Sequence, residues 1–292
     1  MGPQSKSECL IQKLAKLFYQ GCHQFHLEDS EVEALSWSEQ EKLLNLTINS
    51  TLIKKFPVSY DFCRLYLKNL LKYFESLQEV HESIYEYLCF IMNNKQKDST
   101  CYKHYVIDED LTNIITIKES RNMVINGTTG MKTWEAALFL TDWILSNKLL
   151  FKNKIILELG SGVGFTGITI NKHCDISSID FTDCHVDVIN TIQENIEINF
   201  PDSQRYEKDD VIVYEVDNKM MRVSMLDWNK EVNIGIDPDI IIGADIIYDP
   251  CILDPLCKVL NSFFMKNKNV CAYIACVIRN EETFNQFFDC YR

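Results

Sequence analysis

The sequence predicts a doubly wound, Rossmann-like α/β domain preceded by an all-helical accessory domain. Three observations predict it. Apolar residues recur every three or four positions through the first ~95 residues, the period of an amphipathic helix. Beyond residue 100, short β-like runs alternate with helical ones, the pattern of a parallel sheet. A glycine-rich loop, GSGVG at 160–164, directly follows the first buried-type run.

The helical region contains four apolar stripes. Residues 9–25 place Leu10, Leu14, Leu17 and Phe18 on one face. Residues 37–56 continue with Leu43, Leu44, Leu46 and Ile53 until Pro57 breaks the pattern. Residues 60–74 and 77–92 add Leu65, Leu67, Leu70, Leu71, Val80, Ile84, Leu88 and Ile91. No catalytic group stands among them, and His23, His26 and His81 are isolated. The polar stretch 93–99 reads as a linker, which sets the domains at 1–95 and 100–292.

Residues 106–107 and 114–117 read as a hairpin leading into the second domain. A polar loop at 127–130 precedes a helix at 133–146. Strands are then expected at 154–159, 178–182, 222–225, 239–244 and 270–278. Helices are expected at 166–173, 185–200 and 255–264, and residues 202–221 read as a polar insertion or long loop.

Composition bounds the function. The 292 residues carry 29 Lys plus Arg and 42 Asp plus Glu, a formal charge of −13. That acidity argues against a surface built for nucleic-acid phosphates. No run reaches the roughly 18 apolar residues of a membrane span, and the amino terminus has no signal-peptide core. Gly2 is followed by Ser at position 7 rather than 6, so the myristoylation pattern is not met. Twelve cysteines at irregular spacings point to reduced, buried thiols rather than a zinc site, and to the cytoplasm.

In such sheets the ligand lies at the carboxyl ends of the strands. Gly162, Gly164 and Gly167 fit the dinucleotide pattern G-x-G-x-x-G. Glu158, Gly160, Gly162 and Gly164 fit E-x-G-x-G-x-G, the pattern of S-adenosylmethionine enzymes, which the loop favours. Asp183 ends the second strand, where a carboxylate accepts from ribose hydroxyls of either cofactor or caps the next helix. At the third strand's end, Trp228 offers a flat face for adenine and Asp227 an acceptor for its exocyclic amine. The fourth ends in Ala244, Asp245 and, three residues on, Tyr248, with the small Ala244 leaving room for a ligand.

Taken together, GTTGMKTWEAA at 127–137, LELGSG at 157–162, TDCH at 182–185, LDW at 226–228, ADIIY at 244–248 and Arg279-Asn280 resemble the seven-strand, class I protein-lysine methyltransferases. More narrowly they resemble the elongation factor 2 lysine methyltransferase family, and the helical region from Lys55 to Ile91 does so too. The resemblance implies that Trp134, Gly160, Ser161, Gly162, Asp183, Trp228 and Ala244 contact S-adenosyl-L-methionine. It implies that Asp245 and Tyr248 border a lysine channel and that the helical domain helps hold the protein substrate. The expected partner is elongation factor 2, met by a monomer with no nucleic acid, membrane or metal.

The resemblance also implies two further strands after the fifth. Their absence would leave residues 270–278 as an unprotected edge, so the chain is expected to be incomplete, or unstable and inactive alone. Two other readings stand beside the enzyme. A nicotinamide oxidoreductase lacks an evident hydride-transfer partner and leaves Trp228 unexplained. A non-catalytic binding protein would retain the fold without turnover.

Overall fold

The computed structural model describes residues 6–94, 99–108, 111–230 and 235–290. The chain divides into two compact units, Met1–Arg121 and Asn122–Arg292.

The first unit contains α1 (Lys6–Tyr19), α2 (Asp29–Glu33), α3 (Trp37–Leu46), α4 (Thr51–Lys55), α5 (Tyr60–Leu77) and α6 (Glu82–Asn93). An antiparallel hairpin of β1 (Thr100–Val106) and β2 (Ile114–Ser120) follows. Leu14, Phe18, Tyr66, Leu67, Leu70 and Phe74 are fully buried, and the Tyr66 hydroxyl donates to the Leu14 carbonyl at 2.9 Å. The single helix expected over 37–56 is two helices. The buried Thr47 hydroxyl turns back onto the Leu43 carbonyl at 2.7 Å, and Ser50 caps α4 by accepting from the Ile53 amide at 3.2 Å. Val106 and Ile114 of the hairpin pack against the helical core. The hairpin therefore completes the first unit, and the boundary falls after Arg121 rather than near 95–100. Of the expected linker, residues 95–98 lie outside the described residues.

The second unit runs α7 (Glu135–Ser146), β3 (Ile155–Leu159), α8 (Phe165–His173), β4 (Ser178–Asp183), α9 (Val186–Asn199), β5 (Gln204–Lys208), β6 (Val211–Val216) and β7 (Lys219–Met225). It continues with β8 (Ile240–Ala244), α10 (Pro250–Lys266), β9 (Cys271–Ala275) and α11 (Glu281–Asp289). One sheet carries the order β5-β6-β7-β4-β3-β8-β9. β7, β4, β3, β8 and β9 are mutually parallel, and β6 runs antiparallel to both β5 and β7. The chain leaves β3 towards β4 on one side, and β8 lies on the other. This reversal opens a crevice at the carboxyl ends of these strands.

The residues expected as an insertion, 202–221, are largely strand. Asp209 and Asp210 have φ of 53° and 62°, and Asp217 and Asn218 have 50° and 62°. Two successive left-handed residues make the tight turn that matches strand twist, and Asp and Asn tolerate that conformation. Both turns join strands in close register, Lys208 opposite Val211 and Val216 opposite Lys219. The first residues of α10 also differ from expectation. Asp249 caps the helix by accepting from the Cys251 amide at 2.9 Å, with Pro250 at its first turn, so Pro255 lies inside it.

Helices cover both faces of the sheet. α7 packs on α8, and α8 on α9 and β4. Leu157 and Leu159 of β3 point the other way, into a core with Leu253, Leu256 and Leu260 of α10 and Phe287 of α11. Among the described residues β9 pairs with β8 alone, at the sheet edge. All twelve cysteines are free, but only Cys63, Cys174 and Cys257 are buried, against the expectation of buried thiols. Among the described residues no helix is long and apolar enough to cross a membrane.

One glycine sets the spacing between α8 and the sheet. A Cβ on Gly167 would lie 2.3 Å from the Phe181 ring and 2.7 Å from Glu158 Oε2, both on β strands. Gly167→Ala is therefore expected to destabilise the second unit by about 1–3 kcal/mol through overpacking. The urea midpoint should fall with the slope of the transition unchanged.

Candidate active site

The crevice at the carboxyl ends of β3, β4, β7 and β8 holds a cavity of about 170 Å³. The loops after these strands supply most of its wall: Gly160 and Gly162 after β3, Asp183 and Cys184 from β4, Asp227 and Trp228 after β7, and Ala244, Asp245 and Tyr248 from β8. Leu226, Asn229, Ile246 and Ile252 also line it, as do Thr128, Thr129 and Gly130, which precede α7, and Trp134, the residue that caps α7. Nine of the residues named from the sequence thus meet in one place.

Close backbone packing shapes the glycine loop. Gly162 has φ of 53°, and a Cβ on it would lie 3.0 Å from the Gly130 carbonyl oxygen. Its amide donates to Asp183 Oδ2 at 3.3 Å. A second Asp183 oxygen accepts from the His185 amide at 3.2 Å. Asp183 is thus the anchor between the loop and the start of α9, whose cap is His185 itself. Desolvation raises the Asp183 carboxyl above the usual range, and the amide hydrogen bonds from His185 and Gly162 oppose this.

Three residues expected at the cofactor do not line the cavity: Glu158, Ser161 and Gly164. Each shapes the loop from behind. Ser161 Oγ accepts from the Thr182 amide at 3.0 Å and donates to the Glu158 carbonyl at 3.3 Å, which staples β3 to β4. Gly164 is the left-handed cap of α8. Glu158 is buried beneath the loop. Desolvation pushes its carboxyl up to about 8, against hydrogen bonds from Ser161 and Gly167.

Asp227 and Trp228 divide the work at the end of β7. Asp227 accepts from the Asn229 amide at 3.0 Å and pairs with Lys230 at 3.3 Å. The Asn229 amide holds the Asp227 carboxyl below the usual range, with Lys230 adding to it. Trp228 lies against the glycine loop, since a Cβ on Gly160 would be 3.7 Å from its ring.

On the opposite side, Asp245 sits in a left-handed conformation, φ 57°, and its side chain is only 6% exposed. Its amide donates to the Ala275 carbonyl at 2.7 Å. Oδ1 accepts from the Val277 amide at 3.0 Å and Arg279 Nη1 at 3.2 Å, and Oδ2 from Arg279 Nη2 at 2.9 Å. The Arg279 guanidinium stands 5.4 Å from the Trp134 ring centre. The Trp134 indole N–H donates to the Thr129 carbonyl at 3.1 Å. Half-exposed Tyr248 meets the Thr129 side chain; desolvation raises its phenol, and that hydrogen bond opposes the shift.

A family profile described as lysine methyltransferase matches residues 112–291. This chain belongs to the lysine methyltransferase family. It is 30% identical to the human protein-lysine N-methyltransferase EEF2KMT over 301 aligned residues, covering 98% of this chain and 89% of that one. The Bos taurus protein of the same name is 30% identical over 257 residues, 84% of this chain and 75% of the relative. The Saccharomyces cerevisiae protein-lysine N-methyltransferase EFM3 is 27% identical over 226 residues, 72% of this chain and 62% of the relative. The reaction of this lysine methyltransferase is methyl transfer to a lysine nitrogen, with S-adenosyl-L-methionine as the donor. The wall residues fit such a donor: a glycine loop without side chains, the Asp183 acceptor, and an apolar surface from Leu226, Trp228 and Ile252.

Thr128, Thr129, Gly130, Cys184 and Asn229 line the cavity beyond the residues expected there, and of these only the GTTG segment at 127–130 stands out in the sequence. Arg279 joins the site from 34 positions beyond Asp245; in the sequence it stands only as part of the Arg279-Asn280 pair of the resemblance, with no role attached. The buried Glu158 yields a test. The unfolded carboxyl ionises above about 4.5, whereas the folded one keeps its proton to about 8. Its stabilising contribution is complete below pH 4.5 and is lost as pH rises towards 8. Wild-type stability relative to Glu158→Gln should therefore fall across that window and level off above it, read as urea midpoints at each pH.

Proposed function

We propose that this protein methylates a lysine side chain of elongation factor 2. The observation that carries the reading is likeness across 98% of the chain to a relative named EEF2KMT, a protein-lysine N-methyltransferase. The arrangement of the crevice supports it.

When bound, the sulfonium cofactor supplies an electrophilic methyl group. The protein's part is mainly alignment, because in-line displacement needs nitrogen, carbon and sulfur in one line. In this reading Trp228 and Leu226 form the apolar wall for adenine, Asp183 accepts from the ribose, and Gly160 and Gly162 let the donor approach the backbone. Asp245 and Tyr248 border the lysine. The amine must lose its proton, yet a free lysine has a pKa of ~10.4. Partial desolvation between Tyr248, Trp134 and Ile246 lowers that value. The helical unit assists in holding the protein substrate, and the reaction takes place in the cytoplasm with the enzyme as a monomer.

Trp228→Ala should weaken binding of S-adenosylhomocysteine by about tenfold or more, since stacking on a base is worth ~1–3 kcal/mol. Asp245→Ala should leave that affinity nearly intact and cut turnover by roughly 10², the scale of a misaligned reactant. Calorimetric titration and methyl transfer to purified elongation factor 2 separate the two. An Asp245→Ala protein with lost donor affinity and full turnover at saturation would overturn the assignment. So would elongation factor 2 that keeps its full lysine methylation, by mass spectrometry, in cells lacking this protein.

A further inference from the structure

We propose that Arg279 is a positioning residue for methyl transfer, clamping Asp245 to Trp134 and cancelling the Asp245 charge beside the substrate amine. The proposal rests on the reading that the lysine enters between Asp245 and Tyr248.

The geometry is a closed chain of contacts around the cavity. Arg279, in the segment after β9, presents two nitrogens to the two oxygens of Asp245 at 3.2 and 2.9 Å. A bidentate guanidinium–carboxylate pair fixes direction as well as distance, which an ammonium does not. The same guanidinium faces the Trp134 ring at 5.4 Å. Trp134 is tied to the Thr129 carbonyl, and the Thr129 side chain meets Tyr248. Tyr248 returns to Asp245 along the loop after β8. Arg279 itself is half-exposed, with a side-chain accessibility of 47%, whereas Asp245 is at 6%. A cation at the rim thus holds a buried anion whose backbone is in a left-handed conformation.

Charge gives the pair its chemical consequence. An uncompensated carboxylate within a few ångströms favours the ammonium form of a lysine. The charged and titratable groups around Arg279 are Asp245, Glu135 and Cys276, and those around Tyr248 are Asp249, Asp183 and Cys184. Arg279 is the cation among these named groups. With Arg279 in place, Asp245 orients groups near the amine without trapping its proton.

The test compares wild type, Arg279→Ala, Arg279→Lys, Asp245→Asn and the Arg279→Ala/Asp245→Asn pair as full chains. Arg279→Ala should lower kcat at least tenfold, with S-adenosylhomocysteine affinity changed less than threefold. Its acid limb of kcat against pH should move up by about one unit, and Asp245→Asn in the same chain should return it. Arg279→Lys should restore the pH limb but not the full kcat, because charge survives and the fork does not. Hydrogen exchange gives a readout independent of turnover: the amides of residues 245–248 and 277 should exchange at least tenfold faster in Arg279→Ala.

Unchanged kcat and pH profile in Arg279→Ala overturn the proposal. So does a kcat loss that is uniform over pH with amides 245–248 still protected. If Arg279→Ala fails to fold, Arg279→Lys decides: full kcat with amides 245–248 exchanging as in wild type overturns the proposal, and a lowered kcat with faster exchange supports it. A wild-type chain inactive on elongation factor 2 overturns the substrate reading alone, and the exchange rates then still decide whether Arg279 holds the Asp245 loop.

Discussion

The crevice depends on one carboxylate receiving two backbone amides. Asp183 takes the Gly162 amide with one oxygen and the His185 amide with the other. The first belongs to the loop after β3, the second to the start of α9. A half-buried acceptor that satisfies two loop donors is difficult to replace, because each amide would otherwise lose its partner. The glycine loop can make this contact only because Gly162 passes within 3.0 Å, at its Cβ position, of the Gly130 carbonyl. The 128–130 segment is itself held from the other side, where Asn126 donates to Asp187 of α9 at 2.8 Å. Sheet, loop and helix are thus joined by the residue at which the cofactor's ribose is expected.

The crevice gathers acids in an already acidic chain, and each is stabilised differently. Burial below the loop favours the protonated form of Glu158. Asp183 relies on backbone amides, Asp227 on Asn229 and Lys230, and Asp245 on Arg279 and the Val277 amide. The acids at the surface of the crevice suit two positively charged ligands, a sulfonium and a lysine, which a negative cleft concentrates. The acids behind it serve the fold. The difference is depth of burial, and it separates Glu158, beneath the loop, from Asp183, Asp227 and Asp245, which line the crevice.

Much of this was legible in the chain. The helical stripes, the hairpin, the positions of the parallel strands along the chain and that of the glycine loop follow from periods of 3.6 and 2 and from the buried-type runs. β5 is hard to see in the sequence because QRYEK is polar and faces water at the sheet edge. β6, VIVYEV with buried Val213 and Tyr214, does carry an apolar signal, and the turns at Asp209-Asp210 and Asp217-Asn218 bound it. The two compact units divide after the hairpin, beyond the polar stretch at 93–99, because the apolar faces of Val106 and Ile114 pack on the helices that precede them. The cysteines were misread by composition alone, since exposure is a property of the assembled surface.

The amino-acid sequence by itself determined the α/β class, the crevice at the strand ends, and Asp183, Trp228, Asp245 and Tyr248 as its residues, because strand–loop–helix order carries those positions with it. Tertiary structure alone decided that Glu158, Ser161 and Gly164 stand behind the loop rather than in the cavity. It also decided that Arg279 closes on Asp245 across 34 residues. The reason is range. Turn chemistry and periodicity act over a few neighbouring residues, whereas burial and a two-point ion pair exist only once the sheet has brought distant segments together.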